Sequence, residues 1–303
     1  MKRFFCIIML AALLALAACS AVRKETAVNG AVTVKKVEGE AASLEIKNVV
    51  LKQGLSTMGP QVLLGRDGKG SRVELEGPSD LLEEIRVEFS GKRLKVSADA
   101  AKLYVVSSPV IIRIYDMELE ALALSGACDA EAEDGALARD KSGTELDIRL
   151  SGASALKTDR LSAGEIVMDL SGASSLTAGV LECDKWKLDL SGASSLTAPV
   201  CQVSGLADWH MSGASRLTVG ENAADVPASR GGEIFVVLSG ASLADASEFE
   251  VGKATLTLSG GSTLECWVTG VLGGSITGSS AVYYKGMPTL ATHTGASSTL
   301  QQK

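Results

Sequence analysis

Leu150-Ser151-Gly152-Ala153-Ser154 returns as Leu170-Ser171-Gly172-Ala173-Ser174 and again as Leu190-Ser191-Gly192-Ala193-Ser194. Six variants extend the series in both directions: Leu124-Ser125-Gly126-Ala127-Cys128, Met211-Ser212-Gly213-Ala214-Ser215, Leu238-Ser239-Gly240-Ala241-Ser242, Leu258-Ser259-Gly260-Gly261-Ser262, Ile276-Thr277-Gly278-Ser279-Ser280 and His293-Thr294-Gly295-Ala296-Ser297. The leading hydroxyls are 26, 20, 20, 21, 27, 20, 18 and 17 residues apart. A repeat near twenty residues is the mark of a stacked architecture in which no unit buries its apolar side alone.

The flanks say what the unit is. One and three residues before the first serine the chain is apolar, as in Ile148 and Leu150, Met168 and Leu170, Leu188 and Leu190, Trp209 and Met211, Val236 and Leu238. Between them stand Arg149, Asp169, Asp189 and His210. Alternation with period two describes a half-buried strand, and no helical stripe competes with it. Twenty residues at roughly 3.3 Å each give a closed path of about 66 Å, enough for three short strands and three corners. Coils stacked about 4.8 Å apart pair every main-chain group, so nine would rise roughly 43 Å. The expected fold is all-β, a right-handed parallel β-helix, because crossovers between parallel strands are overwhelmingly right-handed. Its corners are Ser151-Gly152, Ser171-Gly172, Ser191-Gly192, Ser212-Gly213 and Ser239-Gly240, with glycine allowing the tight backbone, alanine turned inward and hydroxyls in register. Two long repeats place insertions at Glu131 to Gly143 and Glu221 to Gly232, as loops on the side of the stack.

Residues 31–118 carry strand patterns at irregular spacing, around 44–50, 62–64, 73–75, 86–89, 94–96 and 103–115. Ser79 to Ile85 reads as a short helix with Asp80 as N-cap, and Ser90-Gly91-Lys92 as a hairpin turn. This region is either early coils or a cap over the exposed end of residues 119–303.

The chain opens with Lys2-Arg3, an apolar run from Phe4 to Ala15, and Leu16-Ala17-Ala18-Cys19. The run is shorter than the roughly 20 residues of a spanning helix, so residues 1–18 read as a cleaved leader. The last four residues resemble a bacterial lipobox. That resemblance implies acylation of Cys19 and a linker over 19–30 that ties the protein to a lipid bilayer at the outer membrane, on a side the sequence does not specify. Without Lys2 and Arg3 the formal charge of −7 becomes −9, which with no basic run argues against nucleic acid. Cys128, Cys183, Cys201 and Cys266 form no Cys-x-x-Cys, and the histidines are His210 and His293 alone. Neither a metal nor a cofactor is expected. Cys183 and Cys201 fall near equivalent places in neighbouring coils, either as a disulfide or as two small buried side chains.

Arg149, Asp169, Asp189 and His210 would form one outward column with a strand spacing between members. Such a row could cleave an acidic polysaccharide, the carboxylates serving as acid and base and Arg149 gripping a uronate. The alternative is an exposed charge ladder in which the cations relieve Asp repulsion, and exposed alternation already explains every residue in the row. Trp186, Trp209 and Trp267 could stack on sugar rings, although Trp209 occupies a core-facing position. The serines lie in no Gly-x-Ser-x-Gly elbow and recur at every corner, so they read as structure.

The tandem Ser-Gly-Ala-Ser phrases, Pro78-Ser79-Asp80-Leu81-Leu82 with Gly91-Lys92-Arg93-Leu94-Lys95-Val96, and Val282-Tyr283-Tyr284-Lys285-Gly286-Met287-Pro288 resemble the auto-transporter adhesins with a head GIN domain, the domain of unknown function 2807. The resemblance spans roughly residues 30–300. It implies a β-helix similar to pectin-lyase-like solenoids, no catalytic set, and adhesion to a host or bacterial surface protein or glycan. Family corners often carry Asp or Gly where this chain has Ser or Ala, so its corners are less acidic and calcium is not expected there. The three functional classes that follow are an adhesin-like binding protein, an enzyme of the charge column, and a structural spacer, with a homo-oligomer left open.

Overall fold

The computed structural model describes residues 24–28, 30–133, 135–140, 143–221 and 228–303. The leader at 1–18, Cys19 and the middle of the second insertion at 222–227 lie outside them. The described chain is all-β apart from one short helix, and it forms two compact units.

The first unit runs to Ala138 and includes Leu146–Thr158 and Gly172–Ser175. Strand Arg72–Pro78 lies antiparallel to both Val32–Glu38 and Ile111–Tyr115. Ile111–Tyr115 then runs parallel to Gln61–Gly65, which pairs in parallel with Asp129–Ala132. A second series begins with the hairpin Arg86–Ser90 and Arg93–Ser97 and continues in parallel through Ser43–Lys47, Ala121–Leu124 and Glu145–Leu150. Its inward residues form two files, Leu94, Leu44, Leu122 and Ile148 beside Val96, Ile46, Leu124 and Leu150, all buried. Burial of each such side chain contributes roughly 1.5–3 kcal/mol.

Irregular residues have local causes. The expected strand over 103–115 is split into Lys102–Val105 and Ile111–Tyr115; Pro109, which has no N–H to donate to a ladder, falls in the gap. The helix spans Ser79–Glu84 with Pro78 at its N-cap, and Asp80 sits in its first turn without a capping hydrogen bond. Proline fits there because it brings a fixed φ to the entry of the helix. Asp116 takes a left-handed φ of 54°. Its carboxylate accepts the amides of Asp67 and Gly68 on Oδ1 and of Lys69 and Gly70 on Oδ2, all at 3.1–3.2 Å. Arg72 closes the same loop, donating to both oxygens of Asp67 at 2.8 and 2.6 Å and to Glu74 at 2.8 Å, with its guanidinium 4.0 Å above the Tyr115 ring.

The second unit comprises Arg139–Glu145, Asp159–Ser171 and Leu176–Lys303. Here parallel strands repeat in register: Leu170 faces Leu190, then Met211, Leu238, Leu258 and Ile276 in single file. A second file runs Leu196, Leu217, Ala244, Leu264, Val282 and Leu300. Period-two alternation therefore turns the apolar side chains of each repeat to one side of its strands.

The corners within each unit follow one geometry. Gly152, Gly172, Gly192, Gly213 and Gly240 have φ between 69° and 74°, a region in which a side chain is strained. The alanine N–H after the glycine donates to the glycine carbonyl one coil earlier, as in Ala173 to Gly152 and Ala214 to Gly192, both at 2.7 Å. A Cβ on Gly213 would lie 2.5 Å from the Gly192 oxygen. One expectation is corrected here: Ala153, Ala173 and Ala193 are half-buried, and the second serine turns inward instead. Ser154, Ser174, Ser194, Ser215, Ser242, Ser262 and Ser280 are all buried. At Ser194 the buried hydroxyl is bonded, Oγ donating to Ser191 O at 2.9 Å and Leu170 O at 3.1 Å, whereas Ser215 Oγ has no partner among the described residues.

Candidate functional site

Asp169 pairs with Asp189, and Asp189 with His210, on adjacent parallel strands. All three are exposed. His210 turns to its own strand, with Nε2 3.1 Å from Asp208 Oδ1, and Nδ1 is 3.8 Å from Asp189 Oδ1. Arg149, in the first unit, behaves alike: its guanidinium donates to both oxygens of Asp147 at 3.1 and 2.7 Å. Arg149 and His210 thus each pair with an aspartate two residues away on their own strand. An open strand face leaves both aspartates exposed to water.

Trp186 and Trp209 are fully buried, with ring centroids 5.4 Å apart and edge-on, and Trp209 lies 5.9 Å from Phe249. They pack the interior and cannot reach a sugar. Trp267 is half-buried.

Cys128, Cys183, Cys201 and Cys266 are buried thiols that form no disulfide. Leu181 faces Cys201 and Cys183 faces Val203, so the two central cysteines are offset by two residues along the paired strands. Burial pushes the Cys128 and Cys266 thiols up to about 12 and raises that of Cys201, with the neighbouring Cys183 adding to the last. Such thiols are poor nucleophiles and poor metal ligands. Among the described residues no group of three His, Cys, Asp or Glu side chains is placed to hold a metal ion, and no helix is long and apolar enough to cross a membrane.

The structure adds a concave feature that repeat counting does not locate. On the outer face of the first unit, Ser43 lies between Arg93 and Ala121, and Ala121 is followed by Asp147. In the next outward row Glu45 lies between Lys95 and Ala123, and Ala123 is followed by Arg149. Ser43, Ala121 and Ala123 are short, and between Arg93 and Arg149 they leave a recess of about 320 Å³ that Glu45 also lines. Glu45 is drawn aside by Lys47 at 2.7 Å. Arg93 is exposed and makes no side-chain hydrogen bond or ion pair among the described residues. Its only sequence signal is the pairing of alanines at 121 and 123, which is visible once Ser43–Lys47 is known to be their neighbour.

Comparison with known proteins agrees with this architecture. The chain superposes on the crystal structure of a putative adhesin from Parabacteroides merdae with a TM-score of 0.63 at 14% identity, covering 92% of this chain and 99% of that one. A putative adhesin from Parabacteroides distasonis gives 0.64 at 15% identity, covering 92% and 100%. A protein from the same organism described as a putative lipid binding protein gives 0.54 at 15% identity with the same coverage. At these identities the likeness is one of fold. No curated protein matches the chain. The family model described as "Putative auto-transporter adhesin, head GIN domain" matches residues 59–288; the chain belongs to that family, the domain of unknown function 2807.

Proposed function

We propose that this chain is a non-catalytic, adhesin-like binding protein of the bacterial cell envelope, built as a right-handed parallel β-helix and tethered by an acylated Cys19. In this reading residues 1–18 are a leader, 19–30 a linker, 31–118 an N-terminal β region, and 119–303 the repeat stack. The observation that carries it is the distribution of chemistry. The interior is lined by apolar side chains, several corner hydroxyls are bonded to main-chain carbonyls, and the charges of the Asp169 to His210 row are exposed. Family membership supports this reading, since the family model and two structural neighbours carry the description putative adhesin, which points to the cell envelope. What remains for recognition is the outer surface, a rigid face held in register by the stack.

The test is protease treatment of intact cells carrying the full chain, with adhesion of those cells to immobilised surface proteins and glycans measured before and after. Cleavage together with lost adhesion supports the reading. A chain that is shielded on intact cells, or whose removal leaves adhesion unchanged, overturns it. Cys19→Ser should move the protein from the membrane fraction to the soluble one, because acyl chains supply the anchoring energy, about 0.8 kcal/mol per buried CH₂.

A further inference from the structure

We infer that the recess between Arg93 and Arg149 binds an acidic sugar residue of a polymeric glycan, the sugar carboxylate being held by Arg93. This rests on the binding-protein reading and names the chemistry of its partner.

The argument begins with shape. Four neighbouring strands, Arg93–Ser97, Ser43–Lys47, Ala121–Leu124 and Glu145–Leu150, present Ser43, Glu45, Ala121 and Ala123 on the two middle strands and long side chains at both sides. Leu44 and Leu122 point inward and are buried. The floor is consequently main chain, the Ser43 hydroxymethyl group and two methyl groups, with Glu45 drawn toward Lys47 beside them. Such a floor suits the C–H face of a pyranose, and the volume of about 320 Å³ is at the lower bound of small-molecule sites. The recess is a trough open to solvent rather than a sealed cavity, which admits one unit of a longer chain. Strands about 4.8 Å apart offer a repeat comparable to one sugar unit along that chain.

Charge then selects among sugars. Asp147 is matched by Arg149 through two hydrogen bonds, and Glu45 by Lys47. Arg93 stands at the rim with its donors turned to water and no acidic partner among the described residues. On a chain of net charge −7, an unmatched guanidinium beside a neutralised wall is a local preference for an anion. A guanidinium fork fits a carboxylate bidentately. The Ser43 hydroxyl, the Arg149–Asp147 pair and Glu45 supply donors and acceptors for ring hydroxyls, as the planar polar groups of a sugar site do.

The probe is oligogalacturonate, titrated calorimetrically into the full-length protein beside its methyl-esterified form. The unesterified probe should bind and the ester should bind at least about tenfold more weakly, a difference of about 1.4 kcal/mol. Arg93→Gln should lower affinity for the acid by a similar factor while leaving the weak ester binding in place. Ala123→Leu, which fills the trough and keeps every charge, should remove binding of both; circular dichroism and the unfolding midpoint confirm that both variants are folded. If oligogalacturonate binds wild type, Arg93→Gln and Ala123→Leu equally, the recess is not the site. If the acid does not bind at all, the inference fails whatever else the protein binds. Surface adhesion persisting in Arg93→Gln and Ala123→Leu cells would overturn the recess as the adhesive site and leave the envelope-binding reading standing.

Discussion

The region before the repeats and the repeats themselves solve the same problem by different means. In the repeat region one corner device recurs, a left-handed glycine whose carbonyl accepts from the next coil and a buried serine that caps the turn. Before it, strands Val32–Glu38, Arg72–Pro78, Ile111–Tyr115 and the hairpin Arg86–Ser97 mix antiparallel with parallel pairing. There a single polar clamp, Asp116 on four amides and Arg72 on Asp67 and Glu74, fixes the loop at 66–71. Repetition distributes stability over many equal small terms, whereas the irregular region concentrates it in a few side chains. Substitutions should therefore separate the two regions by size and by pH response.

The largest effect is expected at a corner glycine. Gly213→Val combines a left-handed φ of 73° with a Cβ 2.5 Å from main chain that cannot move without breaking the Ala214 to Gly192 bond. Strain and overpacking together should cost roughly 2–5 kcal/mol, read as a lower urea midpoint. A loss below about 0.5 kcal/mol would mean that the corner relaxes freely and that stacking does not depend on it.

Next comes the clamp. Asp116→Asn keeps a residue that tolerates the left-handed backbone but replaces a carboxylate that accepts four N–H groups, and should lower stability by roughly 1–2 kcal/mol. Hydrogen exchange at the Gly68 and Gly70 amides should rise in the variant while the Ala214 amide stays protected. The pH response has a definite sign. The Arg72 guanidinium, through its hydrogen bonds first, holds the Asp67 carboxyl well below the usual carboxylate range. A folded-state value below the unfolded value of about 3.9 means that this pairing stabilises the protein above that pH and is lost as pH falls through the folded value. The stability that this pairing contributes should thus shrink as pH is lowered below about 4. Arg72→Gln should flatten that dependence.

These contrasts also show what the sequence could reveal. Leu170, Leu190, Met211 and Leu238 stand in file because period-two alternation and a constant spacing dictate both face and register, and both are readable from residue letters. The inward serine was not, because alanine is the more apolar of Ala173 and Ser174, and only the geometry of the turn shows that the serine hydroxyl has carbonyls to meet. Asp116 and Arg72 were missed for another reason. Their partners at 67–70 belong to a loop with no repeat, so nothing local links the two segments. The recess was equally hidden, since Arg93, Ser43, Ala121 and Asp147 become neighbours only through strand pairing out of sequence order.

A smaller effect is expected at the buried serines. Ser194→Ala removes one hydroxyl bonded to Ser191 O and Leu170 O and should lower stability by about 1 kcal/mol, the net worth of a typical hydrogen bond. Ser195→Ala, one residue on and half-exposed, should stay within about 0.5 kcal/mol of wild type. Equal losses at the two positions would show that the inward hydroxyl contributes no more than its outward neighbour.

The smallest effect belongs to the charge column. Asp189→Asn removes a carboxylate that is 69% exposed, 3.8 Å from His210 Nδ1, while the shorter contact, 3.1 Å from His210 Nε2 to Asp208, is untouched. Surface pairs are screened by water and salt, so the unfolding midpoint should move by less than about 0.5 kcal/mol equivalent at neutral pH. Asp169 faces Asp189 directly in the parallel pair, and relief of like charge should push the small change towards stabilisation at low salt. That sign separates a solvated ladder from a reactive dyad. In the ladder the gain fades as salt is added and no glycan turnover is detected in either protein. Turnover of an acidic polysaccharide by the wild type, abolished in Asp189→Asn, would assign the column a chemistry that its exposure argues against.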